Sequence, residues 1–246
     1  MTQSSALQAY PVWDKTTRWF HWINVLCVLA LIAVGVAILN GKALGVSGEG
    51  KILLKTVHVY IGYIFCINLL WRLIWGFVGN PYARWSAILP GAGFMQQLSD
   101  YVQGAKAGEA PAWAGHNPMA KLMVSFLLVL LLAMGVTGIV LAGTDVYMPP
   151  LGGYFADWVT GGDPVKLAQL LPGSKDFVDP ALYKEMRAFR SPFIEVHEIG
   201  FYVLLGAALA HIAAVVITEV REGNALVSAM FTGDKMFSKK PVDSKD

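Results

Sequence analysis

The fold of this chain turns on sixteen residues, Val196–His211, VHEIGFYVLLGAALAH. The stretch is almost wholly apolar, yet a histidine stands at each end, fourteen positions apart. On a helix that offset is about 21 Å of rise and about 1400° of turn, so both imidazoles leave on nearly the same face. In a left-handed bundle with a 3.5-residue period it is about four whole turns. His197 and His211 are therefore expected to face a bundle interior at two depths. Zinc-binding histidines on one helix stand three or four positions apart. This pair cannot share a metal ion, and each imidazole needs a partner from another helix.

The rest of the chain puts that helix in a membrane. Hydrophobic residues make up 55% of the 246 and charged residues 15%, against about 25% charged in an ordinary soluble domain. A hydrocarbon core about 30 Å thick takes about 20 apolar residues to cross. Four segments qualify, at about 19–39, 56–78, 120–142 and 196–218. Trp13, Trp19, Trp22, Trp71, Trp75 and Trp85 crowd their ends, as an interfacial aromatic belt does. The expectation is an all-α integral membrane protein: a four-helix bundle in a single domain, 1–246, with a long loop, about 143–191, between the third and fourth spans. The first twenty residues show no basic region, short apolar core and small-residue cleavage site, so no cleaved signal peptide is expected. Cys27 and Cys66 lie inside apolar runs and form no C-x-x-C pair, which argues against a zinc site or a redox dithiol. No C-x-x-C-H occurs, which excludes covalent haem attachment. The net charge of +2 offers no nucleic-acid footprint.

Boundary signals follow the same division. Asp14 is placed to cap the first helix, Asn117-Pro118 to open the third, and Ser191-Pro192 to open the fourth. GNP at 79–81 ends the second, and Gly143 ends the third. GFMQQLSDYVQG (93–104) carries its apolar residues on one helical face and suits an interfacial helix. In the long loop, DPALYKEMRAF (179–189) suits a short helix capped by Asp179. With both termini cytoplasmic, Lys and Arg divide eleven inside to eight outside, too even a split to fix orientation by charge.

Four of the five histidines, His21, His58, His197 and His211, lie in or near these spans. One buried histidine is ordinary hydrogen-bonded structure. Four are not, because ionisable side chains inside a membrane are costly and face a partner. Successive spans are antiparallel, so His58 and His197, both early in their helices, share a depth. His21, early in helix 1, shares the other with His211. Each pair can clamp an iron porphyrin from both axial sides, giving two b-type haems with these four residues as iron ligands. The fourteen-residue offset recurs. From His21 it reaches Gly35, where a glycine lets the flat ring of the His58/His197 haem approach. From His58 it reaches Arg72, a cation either for a propionate of the other haem or for the headgroups, by snorkelling.

RWFHW opening helix 1, VHVYIGY in helix 2, GHNP before helix 3 and the two histidines of helix 4, in that order, resemble the bacterial cytochrome b561 and NiFe-hydrogenase cytochrome b superfamily. That resemblance covers Trp13 to Val220. It implies a di-haem four-helix cytochrome b of the bacterial inner membrane, with cytoplasmic termini and the same ligand pairing. By the same likeness, the loop before the third helix borders a quinone pocket, making His116 and Asn117 possible quinone contacts. The implied role is electron transfer in a respiratory chain between the quinone pool and a periplasmic redox protein: a cytochrome c, a hydrogenase or a dehydrogenase. No catalytic residue is expected beyond quinone chemistry.

A stand-alone oxidoreductase taking electrons from a small donor such as superoxide would need a cationic funnel. Lys51 and Lys55, just before His58, are the candidates. A transporter reading would require polar residues between the two depths, and EIGFYVLLGAALA (198–210) has none past Glu198. The long loop, with GTDVYMPPLGGYFADWV (143–159) joining aromatic residues to Asp145 and Asp157, suits a protein partner. Replacing Asp157–Lys184 with a short linker is expected to spare the haem core.

Overall fold

A computed structural model describes residues 7–223 and 225–244. The remaining positions of the single-domain reading, 1–6, 224, 245 and 246, lie outside the described residues. The elements in chain order are β1 (Gln8–Pro11), α1 (Lys15–Leu39), α2 (Gly48–Val78), α3 (Trp85–Ile88), α4 (Phe94–Ala107), α5 (Pro118–Val146), α6 (Gly152–Thr160), α7 (Pro164–Gln169), α8 (Pro180–Glu222), α9 (Leu226–Thr232) and β2 (Asp234–Phe237). The four long helices, α1, α2, α5 and α8, are each apolar and long enough to cross a membrane. Their surfaces agree. Leu26, Ile67, Val129 and Leu209 are each more than 60% exposed, a density of bare aliphatic surface that water does not tolerate and lipid does. The fold is an all-α integral membrane bundle.

Most helix ends follow their sequence signals. The Asp14 carboxylate accepts from Thr17 N (2.6 Å) and its second oxygen from Trp75 Nε1 (3.1 Å). Asn117 Oδ1 accepts from Ala120 N, with Pro118 as first residue of α5. Asn80 Oδ1 accepts from Tyr82 N and Ala83 N just past the end of α2. The amphipathic helix expected at 93–104 is present as α4, with Phe94 and Tyr101 buried.

Two boundary expectations fail. Gly143 does not end the third span, because α5 continues to Val146. A Cβ at 143 would lie 2.9 Å from Phe155 Cδ2 and 3.0 Å from Leu151 Cβ. The glycine is there so that α6 can lie against the helix. Nor does Ser191-Pro192 open the fourth span. The short helix expected at 179–189 and the span are one helix of 43 residues, with Pro192 inside it. A mid-helix proline costs about 3 kcal/mol. That cost is offset where Met186 is fully buried and Phe189 packs against Phe155 and Phe193, at 5.7 and 5.2 Å between ring centroids, since each large apolar side chain buried contributes about 1.5–3 kcal/mol. Arg190 adds an ion pair to Asp145.

The chain divides into two compact units, each taking part of every long helix. The first holds residues up to Ile23, Asn68–Val129 and everything from Leu204 onward. Here β1 and β2 pair antiparallel, Gln8 opposite Phe237, and Val12 N and Trp13 N both donate to Gly233 O. Val12, Trp13, Tyr82, Ala114 and Ala229 form its buried cluster. The second unit is Asn24–Ile67 with Leu130–Val203. Its cluster, Val140, Phe155, Val159 and Met186, with Trp158, Leu170 and Phe193 against it, shows that the 3–4 connection is a packed element. Excising Asp157–Lys184 would remove Trp158 and Val159 from that cluster and the first turn of α8.

Candidate functional site

In the second unit α2 supplies His58 and α8 supplies His197. Their ring centroids are 6.3 Å apart, with the planes at 71°. A metal–imidazole bond of about 2.1 Å, plus roughly 1.1 Å from nitrogen to ring centre on each side, would place two collinear rings about 6.4 Å apart. The separation fits one metal atom between them, and rotation about the axis leaves the interplanar angle free. Gly35 on α1 and Gly138 on α5 face these rings: a Cβ at 35 would sit 3.6 Å from His58 Cε1, and one at 138 would sit 3.5 Å from His197 Cε1. Gly35 was expected to let the flat ring of the His58/His197 haem approach; its nearest side chain is the His58 imidazole. Gly138 had no expected role beyond helix packing.

In the first unit α1 supplies His21 and α8 supplies His211. Arg72 lies in the same unit and is 5% exposed, so it does not snorkel. Its Nη2 donates to Ala83 O (3.0 Å), its guanidinium covers the rings of Phe20 and Trp85, and its Nη1 is buried without a protein partner.

The donor set can be tested against a haem. Among the described residues no three His, Cys, Asp or Glu side chains converge on a metal position. Two imidazoles alone make a poor site for a free ion, which takes four or more ligands. They suit an iron whose macrocycle already supplies four. His21 and His58 each keep a buried, unpartnered Nδ1. In the same unit as His58 and His197, Asp145 pairs with both Lys55 and Arg190. Two cations on one carboxylate leave a positive excess that a haem carboxylate would neutralise, as Arg72 would in the other unit. The residues fit the group.

A family model described as prokaryotic cytochrome b561 matches residues 12–233, nearly the whole chain. The chain belongs to the prokaryotic cytochrome b561 family. It is similar to a probable Ni/Fe-hydrogenase B-type cytochrome subunit of Rhizobium leguminosarum bv. viciae, with 26% identity covering 94% of this chain and 90% of that one. A probable Ni/Fe-hydrogenase 1 B-type cytochrome subunit of Escherichia coli K12 is 34% identical over 48% of this chain and 54% of that protein. The corresponding Azotobacter vinelandii protein is 26% identical over 92% of this chain and 88% of its own length. Membership makes this cytochrome b561 a multi-pass bacterial membrane protein of electron transport that uses haem b.

The GHNP loop of this cytochrome b561 is held by the chain's own ends. Asp243 accepts from Ala114 N (2.6 Å) and Gly115 N (2.9 Å). Lys235 donates to Gly115 O (2.8 Å) and covers the Trp13 ring. His116 packs on Trp13 with centroids 4.9 Å apart, and its Nδ1 is buried and unpartnered. Burial, with Lys235, Arg72 and Lys121 nearby, pushes its pKa down to about 3, so the imidazole is neutral. Asn117 is otherwise engaged. Its Oδ1 caps α5, and its Nδ2 donates to Tyr101 OH, which in turn donates to Glu222. The cap and the α4–α8 link account for Asn117 without a quinone. Nothing local in the sequence announced the β1–β2 pairing or the Lys235 contact.

Burial also pushes Lys235 down to about 8. Between that value and about 10.4 the unfolded chain binds a proton that the folded one does not, so stability rises as pH climbs through this window. The full rise is about 3 kcal/mol. The thermal midpoint of the wild type should increase from pH 8 to 10, and that increase should disappear in Lys235→Met.

Proposed function

We propose that this cytochrome carries electrons across the bacterial inner membrane between a redox protein on the side of the 143–191 segment and the membrane quinone pool. Two b haems serve as the relay, one held by His58 and His197, the other by His21 and His211. The observation that carries this reading is the His58–His197 separation of 6.3 Å, each ring backed by a glycine. When bound, the haem supplies one-electron redox chemistry. The chain's own histidines would hold it in each unit, with Arg72 as a buried cation in one unit and Lys55 with Arg190 as cations in the other. The two histidines that α8 contributes are fourteen residues apart, which places a relay site near each end of the span. The termini are cytoplasmic in this reading, as the family likeness implies.

The partner follows from the relatives, whose names attach them to Ni/Fe hydrogenases. We propose a hydrogenase as the electron donor, docking on the packed 143–191 segment, where Tyr154, Val165 and Leu171 are each more than 60% exposed. Quinone contact falls to His116, whose neutral imidazole can accept a quinol hydrogen. The stand-alone reading loses support, because Lys55 is tied to Asp145 and leaves exposed Lys51 as the remaining lysine of the funnel.

The test is purification with a haem count and an optical redox titration, then reduction of the haems by hydrogen in membranes containing the hydrogenase. Tyr154→Ser with Leu171→Ser should abolish hydrogen-driven reduction and leave dithionite reduction intact. Unimpaired hydrogen-driven reduction in that variant would move docking elsewhere. Rapid reduction of the isolated chain by superoxide would favour the stand-alone enzyme.

A further inference from the structure

Thr137 on α5 lies 2.8 Å from His197, Oγ1 to Nδ1, and is 6% exposed. The same oxygen is 2.8 Å from Ala133 O and 3.2 Å from Met134 O. Carbonyl oxygens only accept, so the single hydroxyl hydrogen goes to that pair, Ala133 O being the nearer. The hydroxyl then has only lone pairs to offer His197. Nδ1 must therefore carry the proton and donate it, which leaves Nε2 as the bare nitrogen. One threonine thereby selects the tautomer of this imidazole. The next residue completes the seat. Gly138 has no Cβ where one would stand 3.5 Å from His197 Cε1, the ring atom beside Nδ1. The hydrogen bond and the gap thus bear on the same imidazole, the one fixing its proton and the other leaving room for its ring. By contrast, the Nδ1 atoms of His21 and His58 are buried without a partner.

We propose that Thr137 is the positioning residue for His197, fixing the Nδ1–H tautomer so that Nε2 is presented as an axial nitrogen to the haem shared with His58. The proposal rests on the ligand pairing given above. A histidine ligand whose far nitrogen donates a hydrogen bond is a more basic donor, and outer partners of this kind are worth about 10–100-fold in metal affinity or activity. A more basic donor favours the ferric iron. Thr137 therefore lowers the reduction potential of the His58/His197 haem and leaves that of the other haem unchanged.

The test compares Thr137→Val, which keeps the shape and removes the hydroxyl, with Thr137→Ser, which keeps the hydroxyl. Both full-length proteins are purified with haem and read by optical redox titration and by the ferric low-spin resonance spectrum. At a fixed ambient potential near the midpoint, the ferrous-to-ferric ratio of one haem in the Val protein should rise on the order of 10-fold. That haem's resonance should shift, and the Ser protein should match wild type in both readouts. Should the Val chain fail to assemble, Thr137→Ala is read in its place with the same outcomes. Unchanged potentials and resonances in a haem-loaded Val protein would overturn the proposal. So would a Ser protein that behaves like Val, or a shift confined to the haem that His21→Ala removes. A wild-type chain without a low-spin haem dependent on His58 and His197 would instead sink the pairing itself.

Discussion

His58→Ala and His197→Ala each remove the same haem, and His21→Ala and His211→Ala each remove the other. Every single variant should retain about half of the bound haem, because a six-coordinate b haem needs both axial imidazoles and its partner site is built from different residues. The geometry behind this is local to each unit: His58 and His197 face each other at 6.3 Å in the second, and α1 and α8 bring His21 and His211 into the first. Reduced-minus-oxidised spectra of the four variants, with haem extracted and counted, make the check. If His58→Ala and His21→Ala bleached the same spectral component, the pairing would be wrong.

Gly35→Leu should have nearly as large an effect, although residue 35 ligates nothing. An alanine there would bring its Cβ to 3.6 Å from His58 Cε1, ordinary contact, so Gly35→Ala should assemble normally. Leucine adds three further carbons on the imidazole side, and overpacking of this kind costs about 1–3 kcal/mol or displaces the neighbour. An axial ligand tolerates displacement of only about 0.5 Å. The leucine protein should therefore lose the His58-dependent haem and keep the His21-dependent one. Gly138→Leu should do the same through His197. A Gly35→Leu protein with both haems at their normal potentials would show that His58 has room the structure does not give it.

The four spans were legible because lipid leaves the backbone no choice. A segment in hydrocarbon must satisfy its own hydrogen bonds, so about 20 apolar residues become a helix with little help from the rest of the chain. That His58 and His197 approach each other was legible for a related reason. The helical period ties position to face and depth, so fourteen residues between His197 and His211 already place two sites, and antiparallel order supplies His58 and His21. Caps at Asp14, Asn117 and Asp179 act within three residues and could be read locally.

Other features were decided only by parts of the chain meeting at long range. Pro192 signals a helix start, but Phe189, Phe193 and the Arg190–Asp145 ion pair hold α8 through it. Gly143 signals a stop, but the approach of Leu151 and Phe155 makes it a contact point. Asn117 signals a cap, but its amide also donates to Tyr101, a partner the local sequence does not name. The clasp of Lys235 and Asp243 on the GHNP loop joins residues more than a hundred positions apart. Thr137, inside an unbroken apolar run, gains its meaning from an imidazole sixty residues later. Membrane helices and the period of their histidines are thus local consequences of composition and spacing. What orients each imidazole, neutralises each charge and extends each helix depends on side chains that only tertiary packing brings within reach.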